Sequence, residues 1–178
     1  MRFSYKYITA AGKLLFPSLL WNVPVTKKTL YVTFDDGPVP EITPWVLSLL
    51  KEYNAKATFF CIGENVKKYP DIFNQVLAEG HRIGNHTYNH LNGWKTPAKV
   101  YVQNTLLAEE TIRKNLPVNL SEYTLPNKTT RSRPVHKSSK PTTDNPQLTT
   151  DNRQPTTDNR RLFRPPFGKI TPRQIKEL

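Results

Sequence analysis

Asp35 and Asp36 stand side by side at the end of an apolar run, in the segment Thr33-Phe34-Asp35-Asp36-Gly37-Pro38. Leu30-Tyr31-Val32-Thr33-Phe34 reads as a buried strand, and the Gly-Pro pair turns the chain after it. Successive strand residues point to opposite sides of a sheet, so the two acids suit separate tasks, one accepting a proton and one ligating a metal. Alone, Asp-Asp-Gly-Pro is equally an ordinary polar turn. A second cluster tips the balance. His86-Thr87-Tyr88-Asn89-His90 places two imidazoles four residues apart, on one face of a helical turn. Three of the four histidines fall between 81 and 90, where a further strand ends. Two imidazoles and one carboxylate would leave coordination positions open for water and substrate. A third segment, Leu162-Phe163-Arg164-Pro165-Pro166-Phe167-Gly168, adds an arginine, which keeps its charge and can hold a carboxylate bidentately. The Pro-Pro pair stiffens the backbone ahead of Phe167.

On these three segments, in this order, the chain resembles the metal-dependent polysaccharide deacetylases of carbohydrate esterase family 4, the NodB-homology domain. The similarity runs over about residues 25–117 and resumes at about 162. It implies an α/β fold, a partial (β/α) barrel of the deacetylase type comprising the first half only. It also implies roles: Asp35 as general base, Arg164 orienting it, and Asp36, His86 and His90 as metal ligands. The Pro166-Phe167 pair lies at the oxyanion, Phe167 lending its main-chain N–H; the family often has Tyr at that position. The implied cofactor is Zn²⁺ or another divalent transition metal. The implied reaction is hydrolysis of acetyl groups from a polysaccharide, an N-acetylglucosamine polymer such as chitin or the peptidoglycan glycan, with N- versus O-acetyl left open. Two later family motifs, one acidic and tryptophan-containing and one supplying a general-acid histidine, have no counterpart before Leu178. The expectation is therefore a C-terminally truncated chain without its general acid, since neither His81 nor His136 is placed to substitute. The competing expectation is an inactive remnant that binds metal or glycan at most. A third is a basic binder of anionic polymers.

Length and composition set bounds. At 178 residues the chain suits one domain, short of the roughly 250 residues of a complete barrel. Only 37% of residues are hydrophobic and 16 are proline, which predicts that part of the chain lies outside the core. The net charge is +12, spread along the sequence, and reads as a solvated basic surface more readily than as a specific nucleic-acid site. Cys61 is the single cysteine, which excludes an intrachain disulfide and a cysteine-based zinc site; it reads as a buried small hydrophobe. The N-terminal segment, residues 1–24, is basic and then mostly apolar from Leu14 to Val23, interrupted by Pro17. It predicts neither a signal peptide nor a membrane span, so the default location is the cytoplasm.

These side chains need a frame. The predicted strands are Leu30–Phe34, Ala57–Ile62, Arg82–Gly84 and a short one around Leu162-Phe163, alternating with helices as in a parallel sheet. The first helix is expected to be capped by Thr43 and to bury Val46, Leu49, Leu50 and Tyr53. The next opens at Pro70, buries Ile72, Phe73, Val76 and Leu77, and closes at Gly80. A longer one runs from Thr96-Pro97 to about Leu116, and another begins at Thr171-Pro172. Residues 118–161 lack Gly, Phe and Trp and close with three Thr-Thr-Asp-Asn heptapeptides, beginning at Pro141, Leu148 and Pro155. Proline at the repeat start and the missing apolar seam exclude a coiled coil, so the tract is predicted to be a disordered insertion in the deacetylase domain.

Overall fold

Hydrophobic alternation fixes the first strand. Along β1 (Val32–Asp35), Val32 and Phe34 are half-buried while Thr33 and Asp35 are exposed. The structure, a computed structural model, describes residues 12–21, 23, 28–117 and 162–178. It divides into two compact units, residues 1–31 and 32–178. In the first, a helical turn at residues 12–15 leads to Trp21, whose indole N–H donates to the Phe16 carbonyl at 3.0 Å. No described helix is long and apolar enough to cross a membrane.

The second unit is an α/β layer. β1, β2 (Ala57–Cys61) and β3 (Arg82–Asn85) form a parallel sheet in that order, with Phe34 beside Phe59 and Phe59 beside Ile83. The connecting helices are α1 (Ile42–Glu52), α2 (Gly63–Lys68), α3 (Pro70–Ala78), α4 (Ala98–Asn115) and α5 (Pro172–Glu177). Leu47 and Leu50 of α1, Phe59 and Cys61 of β2, Phe73 and Val76 of α3 and Ile112 of α4 share one core. Burial pushes the Cys61 thiol up to about 12, so it is a packing residue and no nucleophile at neutral pH.

Several expectations need correction. Among the described residues β1 is an edge strand, paired with β2 alone; it is half-buried, and Leu30 and Tyr31 before it are exposed. The first helix begins at Ile42, and the Thr43 hydroxyl accepts from Val39 N–H at 2.9 Å from inside the helix. Its buried face is Thr43, Val46, Leu47 and Leu50, whereas Leu49 and Tyr53 are exposed. Both stripes have helical spacing, so periodicity could not choose between them. The helix α2 was not anticipated from the sequence. The expected fourth strand reduces to one parallel bridge, Asn85 to Phe163; Leu162 and Arg164 make its two bonds, and the next donor toward the same neighbour would be Pro166, which has no N–H. The repeat tract 118–161, with His136, lies outside the described residues.

Candidate metal centre and its neighbours

Every candidate side chain leaves the sheet at the C-terminal ends of its strands. Asp35 is the last residue of β1, His86 follows β3, and Arg164 follows the Phe163 bridge. That edge is where parallel α/β folds place their ligands. The bridge sits close because Gly84 has no side chain; an added Cβ would lie 3.0 Å from the Leu162 carbonyl oxygen and 2.6 Å from the Phe60 ring.

The two acids do diverge. Thr33 and Asp35 share the exposed face of β1, and one guanidinium nitrogen, Arg164 Nη1, donates to both, at 3.0 Å to Thr33 Oγ1 and 2.8 Å to Asp35 Oδ1. The same guanidinium lies over the Phe60 ring at 4.1 Å. Asp36, with a φ of 68°, turns the other way. Its Oδ1 lies 3.4 Å from His86 Nε2 and 3.1 Å from His90 Nε2.

Those distances suit two ligands of one ion as well as a direct histidine–carboxylate contact. Charge-assisted N–H···O bonds run about 2.7–2.9 Å. Ligands about 2.1 Å from a tetrahedral ion are separated by about 3.4 Å. One donor atom from each of Asp36, His86 and His90 falls within 4.8 Å of the others, so the three could hold a metal. His86 is buried, and that burial lowers its basicity against the opposing bond to the Arg164 carbonyl, keeping the imidazole neutral as a ligand must be. Its Nδ1 lies 2.7 Å from the Arg164 carbonyl oxygen; the proton belongs on that nitrogen, which leaves the Nε2 lone pair for the ion.

The histidine pair does not lie on a helical turn, as its spacing suggested. Residues 86–90 form a loop in which Thr87 (φ 64°) and His90 (φ 55°) are left-handed. Four of the six described non-glycine residues with positive φ, namely Asp36, Thr87, His90 and Phe167, belong to this site. Such residues typically cost about 1–3 kcal/mol each, and surrounding bonds must hold them. They do. Asn85 Oδ1 accepts from Thr87 N–H at 2.8 Å while its amide donates to the Thr105 carbonyl at 2.9 Å. Asn104 Oδ1 accepts from the N–H groups of Tyr88 and Asn89. The first N–H groups of α2 are satisfied by the Thr87 and Tyr88 carbonyls, and Asn65 donates to the Asp36 carbonyl.

Asn85, Asn104, Asn65 and Thr33 were not singled out from the sequence as positioning residues. Asn85 left a usable signal, because asparagine is depleted in strands and this one directly precedes a candidate ligand. Phe167 stands beside His90. Its ring is 4.7 Å from that of His90, and Pro166 beneath it is buried. The bonds that close its turn come from Gly168 and Lys169, so neither consumes the Phe167 N–H. His81 is at the opposite end of the sheet, where its Nδ1 accepts from Ala57 N–H at the start of β2.

A parallel α/β layer with imidazoles and carboxylates gathered at its C-terminal edge defines the class, an α/β domain with a candidate metal centre. The particular family follows from comparison. The polysaccharide deacetylase family model matches residues 22–142, and the chain belongs to that family. It is 58% identical over 71 residues to a peptidoglycan-N-acetylglucosamine deacetylase of Bacillus cereus, covering 40% of this chain and 33% of that protein. It is 52% identical over 66 residues to a chitooligosaccharide deacetylase of Azorhizobium caulinodans, covering 37% of this chain and 31% of that protein. Among solved structures, the Bc1960 peptidoglycan N-acetylglucosamine deacetylase superposes with a TM-score of 0.50 at 44% identity, over 52% of this chain and 43% of that one. The peptidoglycan deacetylase PdaC of Bacillus subtilis gives a TM-score of 0.57 at 24% identity, over 86% of this chain and 56% of that one, which shows the shared fold. The matched region thus spans about a third of the curated relatives' length, and the described sheet is part of the barrel.

Proposed function

We propose that the chain carries the metal-binding and water-activating part of a deacetylase acting on an N-acetylglucosamine polymer. The supporting observation is the convergence of Asp36, His86 and His90 beside an arginine-held Asp35. Two imidazoles and a carboxylate suit Zn²⁺ among divalent ions. When bound, such an ion supplies Lewis acidity toward the acetyl carbonyl and lowers the pKa of a water. The protein's own groups do the rest. Asp35 accepts the attacking water's proton, held in line by Arg164 and, through it, by Thr33. The Phe167 N–H, fixed by the stiff Pro165-Pro166 pair, donates to the oxyanion as the carbonyl becomes tetrahedral.

A second reading has one observation in its favour. Among the described residues, no imidazole besides the two ligands reaches this end of the sheet, so the leaving amine lacks an evident proton donor. On that reading the chain binds metal and glycan with little turnover. The test is acetate release from an aryl acetate and from chitotetraose by zinc-loaded protein, by chelator-treated protein and by Asp35→Asn. Hydrolysis that needs both the metal and Asp35 supports the proposal. Hydrolysis indifferent to either overturns it.

A further inference from the structure

The loop that carries His90 continues into Gly93–Lys95, a single turn of 3-10 helix that presents the Trp94 side chain to solvent at 68% exposure. A lone exposed tryptophan is ordinary on a protein surface. Two observations set this one apart. The first is how firmly it is held. The Trp94 main-chain N–H bonds to Asn92 Oδ1, and its indole N–H donates to the Ile170 carbonyl at 3.3 Å. The turn itself is tied to α5 by Gln174, which is fully buried and donates to the carbonyls of both Gly93 and Thr96. Gly93 passes so close to the 169–170 backbone that any Cβ would collide with the Lys169 carbonyl. A buried amide is thus committed to fixing a turn whose apolar ring faces water. The second observation is the neighbour, since Lys169 Nζ sits 5.3 Å from the centre of the Trp94 ring.

The placement relative to the reactive groups is short in covalent terms. Trp94 is the fourth residue after His90, so their Cα atoms are at most about 14 Å apart. Lys169 is the second residue after Phe167, whose own exposed ring touches His90. An aromatic platform and a cation therefore flank the candidate centre within the length of a few sugar rings. A pyranose has an apolar C–H face and polar edges, so it lies flat on an indole while its substituents stay wet. The Lys169 ammonium lies over one face of the indole, and the exposed ring keeps surface for a sugar; from there the cation adds a preference for an anionic substituent on that sugar or its neighbour, and the chain's net charge of +12 acts in the same direction.

We infer that Trp94 and Lys169 form a glycan subsite next to the deacetylation centre, selecting a carboxylate-bearing amino-sugar polymer over a neutral one. The chemistry matches peptide-free peptidoglycan glycan, in which every second sugar carries a free lactyl carboxylate, and not chitin, which carries none. This inference rests on the glycan reading above and narrows it. Preorganisation is what makes the subsite effective, because the ring's orientation is set before any ligand arrives.

The experiment compares binding, not turnover. Zinc-loaded full-length protein is titrated by calorimetry with chitotetraose and with a peptide-free tetrasaccharide of alternating N-acetylglucosamine and N-acetylmuramic acid. Wild type should bind the acidic tetrasaccharide several-fold more tightly, and added salt should erode the difference. Lys169→Gln should equalise the two ligands, Lys169→Arg should restore the preference, and Trp94→Ala should weaken both. Unchanged melting curves would show that the variants remain folded. Equal affinities in wild type, or a preference that survives Lys169→Gln, would overturn the subsite. Failure of wild type to bind either glycan while zinc binding is intact would instead overturn the glycan reading on which it rests.

Discussion

His86 and Arg164 are joined through 2.7 Å between an imidazole Nδ1 and a main-chain oxygen, across 78 positions of sequence. The contact couples two tasks. The histidine that faces Asp36 is aligned by the backbone of the residue whose side chain aligns Asp35. In return, Asn85, one residue before His86, takes the Arg164 N–H on its carbonyl at 3.0 Å. The candidate ligand His86 and the candidate base Asp35 are therefore registered to each other through one residue, Arg164, whose backbone meets the first and whose guanidinium meets the second.

The first prediction concerns the ligands. Asp36→Ala, His86→Ala and His90→Ala should each lower zinc affinity by more than about tenfold, whereas Asp35→Asn should leave it nearly unchanged. Competition with a chelating dye measures this directly. Wild-type affinity in both histidine variants would remove them from the centre.

Asn85 provides a prediction that its sequence context does not suggest. It is buried, and truncation to Ala leaves the Thr87 N–H without its partner and removes the tie to the Thr105 carbonyl, which keeps its helical bond. Stranding such a group typically costs about 1–3 kcal/mol. Because Thr87 is held left-handed by that bond, zinc affinity should drop as well, by about 10–100-fold as for other groups that orient ligands. Urea denaturation and the dye assay together would separate the effects. A variant that loses stability but keeps full affinity would show that the bond serves the fold alone.

The contrast between what the sequence revealed and what it hid has a physical basis. The divergence of Asp35 and Asp36 could be read from strand alternation, which is a local property, whereas the roles expected of Asp35, Asp36, Arg164 and Phe167 came from the family resemblance. The β2 strand and α3 were legible locally as well, as continuous apolar runs between clear turn residues. The loop at 86–90 was not. A β-branched Thr87 at positive φ runs against its local preference, and only bonds from Asn85 and the close approach of α2 impose it. Likewise α1 offers two apolar stripes, and only tertiary packing decides that Leu47 goes inside and Trp45 outside.

Acid should weaken the fold through His81. Burial is the main cause of its lowered pKa, with the charge of Lys56 adding and that of Glu79 opposing. Its Nδ1 accepts from Ala57 N–H, so protonating that nitrogen would set two hydrogens against each other. The folded value lies below the ordinary 6.5, so the unfolded chain binds more protons in the window just below that pH. Stability is therefore highest above about pH 6.5 and falls as the pH drops through the window. Urea midpoints at about pH 7.5 and about pH 5.5 should differ more in wild type than in His81→Gln, which keeps an acceptor without titrating. Equal differences in the two proteins would exclude His81 as the source.

Leaving-group dependence is the sharpest test of the chemistry. Cleaving an N-acetyl group expels an amine, which departs poorly unless a general acid protonates it. A phenolate departs without that help. The described residues bring Asp35, the proposed base, and Phe167, the proposed oxyanion donor, to the centre, while His81 lies at the far end of the sheet. Acid–base assistance typically contributes about 10²–10⁴-fold, so its absence should fall almost wholly on amide substrates. Zinc-loaded protein should therefore release acetate slowly from activated aryl acetates and at a negligible rate from chitotetraose. The aryl acetate rate should need the metal and fall by about 10²-fold or more in Asp35→Asn. Arg164→Met should lower the same rate while shifting the melt little, because its ion pair with Asp35 is more than one-third exposed and surface pairs are worth about 1 kcal/mol at most. Brisk deacetylation of the chitin oligomer, dependent on the metal and Asp35, would support the proposed site but overturn this leaving-group prediction, since it would require a proton donor that the described residues do not place at the centre; His136, in the repeat tract, would be the first residue to substitute.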